Sequence, residues 1–120
     1  SGDCNLMPHL ISQKNFQNIT VSSLTTTSTD EVALDVFDKD QFRSARYQLQ
    51  VTSGSSYHTV EFIIVHDGTT TYNTEYAIIK TGSSLATFSS DIASGNVRML
   101  VTPASTDSTT FKAIRTSINT

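Results

Sequence analysis

The segment Arg43 to Thr52, RSARYQLQVT, alternates strictly. Ala45, Tyr47, Leu49 and Val51 take one parity, and Ser44, Arg46, Gln48, Gln50 and Thr52 the other. Successive side chains of an extended strand point to opposite faces, so this pattern specifies a strand with one face buried and one face wet. Wound as a helix, the same residues would scatter around the axis. Period two recurs along the chain and helical periodicity is almost absent, which confines the fold to the all-β class.

Seven further segments read as strands. Gln17 to Leu24 carries Ile19 and Val21, and Glu31 to Phe37 carries Val32, Leu34 and Val36. Tyr57 to Val65 sets Val60, Phe62 and Ile64 on one face, with Ile63 and Val65 on the other. Thr70 to Lys80 puts Tyr72, Tyr76 and Ile78 on one face. Leu85 to Ser90 is short, and Asp91 to Ala93 after it suits a single helical turn. Val97 to Thr102 carries Val97, Met99 and Val101. Thr109 to Ile118 carries Phe111, Ile114 and Ile118, whose change of parity predicts a bulge.

The connections are short. His66-Asp67-Gly68 predicts a three-residue hairpin loop with glycine in the left-handed position. That loop length would align Val60, Phe62 and Ile64 with Tyr72, Thr74 and Tyr76 on one face. Gly and Ser clusters at 53–56, 81–84 and 94–96 supply turn chemistry. The expected architecture is an antiparallel β-sandwich, jelly-roll-like, of about eight strands. It spans residues 17–120, with 1–16 as an N-terminal arm or linker.

At 120 residues the chain can build one core. Only 37% of it is hydrophobic and 16% charged, and Ser and Thr fill roughly 30%. No stretch approaches the roughly 18 apolar residues of a spanning helix, so no membrane insertion is expected. A net charge of -3 argues against a nucleic-acid partner. The single cysteine, Cys4, permits no internal disulfide, which fits assembly in a reducing cytosol.

Catalytic and metal chemistry finds no motif. His58 and His66 share a strand parity but stand roughly 26 Å apart at strand rise, too far to ligate one metal. His66 beside Asp67 reads as a hydrogen-bonding pair of the turn, and His9 lies in the unpatterned N-terminal stretch. The acids Asp30, Glu31, Asp35, Asp38 and Asp40 lack the glycine of a calcium loop, and Lys39 stands between two of them. No Gly-x-Ser-x-Gly elbow and no phosphate-cradling loop occurs. Glu61 and Glu75 lie on facing strands and read as solvated outer-face residues rather than paired catalytic carboxylates. Of the tyrosines, Tyr47, Tyr72 and Tyr76 fall on expected core faces, leaving Tyr57 free to stack on a sugar ring. No catalytic, cofactor-binding or metal-ligating residues are therefore expected.

The pieces Arg43-Ser44-Ala45-Arg46-Tyr47, Val65-His66-Asp67-Gly68-Thr69, Thr74-Glu75-Tyr76, Asn96-Val97-Arg98-Met99-Leu100-Val101-Thr102-Pro103 and Arg115-Thr116 share an order and spacing. Together they resemble a domain of virion structural proteins from tailed phages of marine cyanobacteria, among them tail-fibre-like, neck and tail components. The resemblance runs from about Phe37 to Ile118. It implies a non-enzymatic, self-assembling domain of the virion, built in the host cytoplasm, with its own copies and other virion proteins as partners. Gly68 would permit the hairpin turn, and Glu75 would pair with Arg46 or Arg98. Arg43 and Arg46 take opposite parities, so one is expected to be buried and paired with Glu75 or Glu61. The alternative is a carbohydrate-binding module that recognises a host surface glycan. A polysaccharide depolymerase would need carboxylates clustered in a cleft, which the strand parity does not give.

Overall fold

β-Branched and aromatic residues at alternate positions favour an extended backbone with one packed face. The computed structural model describes residues 18–120, and these form eight strands. They are β1 (Ile19–Thr26), β2 (Val32–Asp38), β3 (Phe42–Ser53), β4 (Ser56–His66), β5 (Thr71–Lys80), β6 (Ala86–Ala93), β7 (Asn96–Pro103) and β8 (Thr109–Asn119). A five-stranded sheet in the order β1-β8-β3-β4-β5 packs on a three-stranded sheet in the order β2-β7-β6, and every pairing is antiparallel. The fold is an all-β, antiparallel β-sandwich. First pairs with last and second with seventh, while β3, β4 and β5 form a meander.

The core lies between the sheets. Tyr47, Leu49, Val51, Val60, Phe62, Ile64 and Phe111 come from the larger sheet, and Phe37, Phe88, Val97, Met99 and Val101 from the smaller. The alternation read in 43–52 is the pattern of β3, whose Ala45, Tyr47, Leu49 and Val51 are all buried. The N-terminal arm expected over 1–16, with Cys4 and His9, lies outside the described residues.

Three local features depart from the sequence pattern. The first is a bulge in β2. Ala33 pairs with Leu100 and Asp35 with Met99, so the register shifts at Leu34. Without the extra residue Leu34 would face Met99, and Asp35 would point outward. The bulge turns Asp35 and Phe37 to the core and leaves Val36 exposed, against the Val32, Leu34, Val36 face expected from alternation.

The second is the β4–β5 hairpin. Asp67 N donates to Thr70 O (3.1 Å), so the loop is the two residues Gly68-Thr69 rather than three. Gly68 has φ +102°, the left-handed region in which glycine alone avoids a steric cost. Phe62 then pairs with Glu75 and Ile64 with Asn73. Tyr72, Thr74 and Tyr76 consequently go to the outer face, opposite to expectation.

The third is β8, which needs no bulge along 110–118. Phe111 and Ala113 face the core, and so do Arg115 and Ser117, while Ile114 and Ile118 face out. The parity change marks a buried arginine. β6 also runs through Asp91–Ala93, where a helical turn was expected, and the chain reverses at Ser94-Gly95, both at positive φ.

That arginine fastens the two sheets together. Arg115 Nη1 donates to Asp35 Oδ2 at 2.7 Å, with side-chain exposures of 7% and 8%. Tyr47 Oη donates to the same carboxylate oxygen at 2.7 Å, and Ser22 Oγ to Oδ1 at 3.3 Å. Arg115 Nη2 donates to Thr20 Oγ1 at 3.0 Å, and the guanidinium sits over the rings of Phe37 and Phe42 at 5.1 and 5.5 Å. Burial, reinforced by the Asp35 charge, pushes the Tyr47 hydroxyl far above the ordinary phenol range. The buried arginine is thus Arg115. Arg43 and Arg46 are both exposed, because an irregularity between Phe42 and Ser44 offsets their opposite parity.

Candidate functional site

One face of the five-stranded sheet packs on the smaller sheet, and the other is open. Reading the registers across β1, β8, β3, β4 and β5 gives the rows of that outer face. One row is Val21, Ile114, Gln48, Glu61 and Tyr76. The next is Ser23, Lys112, Gln50, Thr59 and Ile79. At the β5 end the register shifts between Thr59 and Glu61, and Ala77 lies in the bulge with φ +52°. A β-bulge bends its strand and increases the local twist. The result is a groove of about 480 Å³ across these two rows.

Along its floor the polar side chains are Gln48 and Gln50 from β3, Thr59 from β4 and Lys112 from β8, and Leu49, Val60 and Ala113 also line it. Its walls are apolar, with Val21 and Ile114 on one side and Ala77 and Ile79 on the other. Val21 is 73% exposed and Ile79 69%. Gln48, Gln50 and Lys112 alternate with the core residues Leu49, Phe111 and Ala113, so the parity that builds the core also builds the floor. Among the described residues, the side chains of Gln48, Gln50, Thr59 and Lys112 make no hydrogen bond or ion pair.

Glu61, at the edge of the groove, is already engaged. Its Oε1 accepts from Arg46 Nε (3.0 Å), Arg46 Nη2 (2.9 Å) and Tyr76 Oη (3.1 Å). The hydrogen bonds from Arg46 and then Tyr76 hold its carboxyl below the usual range, and the same contact raises Arg46. Glu61 is therefore a poor proton donor near neutral pH, and among the described residues it is the only carboxylate lining the groove. Glu75 faces the opposite side of the sheet from Glu61 and pairs with neither Arg46 nor Arg98. Arg98 instead forks onto Asp91 across β6 and β7, at 2.7 and 2.6 Å.

The remaining singled-out residues are placed apart. His58 and His66 lie at opposite ends of β4. His58 Nδ1 accepts from Leu85 N (3.2 Å), and burial, with Lys80 nearby, lowers its pKa. His66 Nε2 donates to Phe42 O (2.8 Å) while its Nδ1 accepts from Gly68 N (3.0 Å). Asp67 Oδ1 accepts from Thr69 N, Thr69 Oγ1 and Thr70 N, which pulls its pKa to about 2. Both residues serve the turn, but through different groups. Asp35 is in the sandwich interior, away from Asp30, Asp38 and Asp40, which are exposed. Of the tyrosines only Tyr47 is buried. Tyr57, Tyr72 and Tyr76 stand on the outer face at 48%, 56% and 37% exposure, two more than the sequence pattern indicated.

No protein-family model matches the chain, and no curated protein matches it. Among solved structures, the tailspike protein of Acinetobacter phage vB_ApiP_P1 aligns with 100% of this chain at 14% identity and a TM-score of 0.53. The tailspike of Acinetobacter baumannii phage AM24 aligns with 87% of it at 7% identity, TM-score 0.36. The tailspike gp49 of Acinetobacter baumannii bacteriophage Fri1, a capsular polysaccharide depolymerase, aligns with 89% at 10% identity, TM-score 0.36. The first of these shares the fold. The chain spans only 25%, 27% and 19% of the length of the three proteins.

Proposed function

We propose that the chain is a non-enzymatic structural domain of a tailed-phage tail, in a fibre, spike, neck or tail decoration, that assembles with its own copies and with other virion proteins. The observation that carries this reading is the likeness of the whole chain to one quarter of a phage tailspike. The virion-protein resemblance of residues 37–118, with its origin in cyanobacterial phages, supports it independently. The sandwich supplies what such a part needs: a rigid unit pinned through its middle by the Asp35–Arg115 pair. The non-enzymatic reading draws on Glu61, among the described residues the single carboxylate of the groove and one already paired with Arg46, since glycoside hydrolysis uses two. Fold likeness alone does not fix function, and particle composition is the direct test. Peptide mass spectrometry on gradient-purified particles of the source phage is expected to find the chain at tens of copies per particle. Its absence from particles otherwise fully represented would refute the reading.

A second reading, recognition of a host glycan, is favoured by the groove and by the exposed Tyr57, Tyr72 and Tyr76. Apolar walls and aromatic faces suit the C–H surface of a sugar ring, and free amides and hydroxyls suit its edge. Consistent binding of the purified chain on a glycan array supports this reading, and silence across the array counts against it.

A further inference from the structure

We propose that the outer-face groove binds an acidic saccharide, a segment carrying uronate-type carboxylates. In it Lys112 takes the carboxylate, and Gln48 and Gln50 take neighbouring hydroxyls. The inference rests on the glycan-recognition reading and adds the ligand's charge and its contacts.

The first argument is unmet hydrogen-bonding capacity. Each glutamine amide offers two donors and an acceptor, and the lysine offers three donors. Within the described residues none of them is used. Two residues along a strand are roughly 7 Å apart and adjacent strands roughly 5 Å. Gln48 and Gln50 therefore stand in line on β3, with Lys112 directly across from Gln50 on β8 and Thr59 across from it on β4. A polyhydroxylated chain lying over them meets a donor or acceptor at each step.

The second argument is charge. Glu61 is paired with Arg46, which leaves Lys112 as the one uncompensated charge among the described residues of the groove lining, and it is positive. A ligand with a carboxylate at that place gains a charge-assisted hydrogen bond that a neutral one lacks. One unpaired cation among the described lining residues, on a chain of net charge -3, is a poor match for a nucleic-acid backbone.

The third argument concerns the competing occupant, a second copy of the chain laid sheet against sheet. Such packing lets the glutamine amides of two copies pair, but it presses Lys112 against an identical face whose lining carboxylate, Glu61, is already held by Arg46. An unpaired buried ammonium is costly. A hydroxylated anion pairs the ammonium instead of stranding it.

The test titrates the isotopically labelled full chain with tetragalacturonate, and with its methyl ester as the neutral comparator, by NMR. The acid is expected to shift amide resonances around Gln48, Gln50, Thr59 and Lys112. Lys112→Gln, an exposed change, should weaken the acid about fivefold and leave the ester unchanged. Raising the salt to about 0.5 M should weaken only the acid. Gln50→Ala should weaken both. Equal binding of acid and ester, or indifference to Lys112→Gln, overturns the acidic-ligand assignment and leaves glycan recognition standing. Silence from both ligands overturns the proposal, and the array then decides the broader reading separately. Concentration-dependent shifts over the same residues, with a dimer or trimer in sedimentation, would make the face a subunit contact and overturn the proposal as well.

Discussion

Asp35→Asn keeps the shape of the side chain and removes its charge. The guanidinium of Arg115, 7% exposed, then has no counter-ion among the side chains that face it: Thr20 from β1, Phe37 from β2, and Phe42 and Tyr47 from β3. Breaking one side of a buried pair costs about 3–5 kcal/mol, because the surviving charge stays desolvated and unpaired. An unfolding entropy of about 2.1 cal/mol/K per residue over 120 residues gives roughly 0.25 kcal/mol/K, so Tm should fall by roughly 12–20 °C. Thermal and urea unfolding followed by circular dichroism read both numbers. Arg115→Met on top of Asp35→Asn removes the stranded charge, and the double variant should recover part of the loss. An Asp35→Asn protein that melts within about 3 °C of the parent would refute the reasoning. So would a double variant less stable than the single one, since the penalty would then not come from an unpaired charge.

His58 folds with a lowered pKa, so the unfolded chain binds the extra proton first. Stability should be level above about pH 6.5 and fall as the pH drops from there toward the folded pKa, and His58→Gln should flatten that limb in urea titrations. Asp67, held at about 2 against an ordinary 3.8, contributes stability that is present above pH 3.8 and lost between 3.8 and 2. Asp67→Asn should remove that part of the acid limb, and an unchanged limb would discount the turn contacts. Gly68→Ala meets open space at its Cβ but keeps φ +102°, so it should cost about 1 kcal/mol through the backbone alone, and an unshifted urea midpoint would show that the loop relaxes freely.

The strands were legible because period two is a local signal. β3 could be read residue by residue, since both its faces follow the pleat without interruption for ten residues. What escaped was set by neighbours. The one-residue bulge at Leu34 depends on what Asp35 must reach on β8 and β3, and no local pattern announces it. The same holds for Arg115: an arginine at a core parity reads as a slip in the hydrophobic pattern until its partner is known. The β4–β5 hairpin turned on a single residue of loop length, and that residue moved Tyr72 and Tyr76 from the expected core to the open face. The groove was half visible. Gln48 and Gln50 were assigned to the wet face of β3, but the walls come from β1, β8 and β5, and only the registers bring those together.

The bulge at Ala77 has a bearing on crowding. β5 is the outermost strand of its sheet, and an outermost strand offers free N–H and C=O groups that another chain can extend. Ala77, at φ +52°, breaks the regular spacing of those groups partway along β5. An identical strand approaching from a neighbouring copy would match the row on one side of Ala77 and miss it on the other. An identical strand meeting β5 is therefore kept from extending the sheet along its whole length into a continuous ribbon.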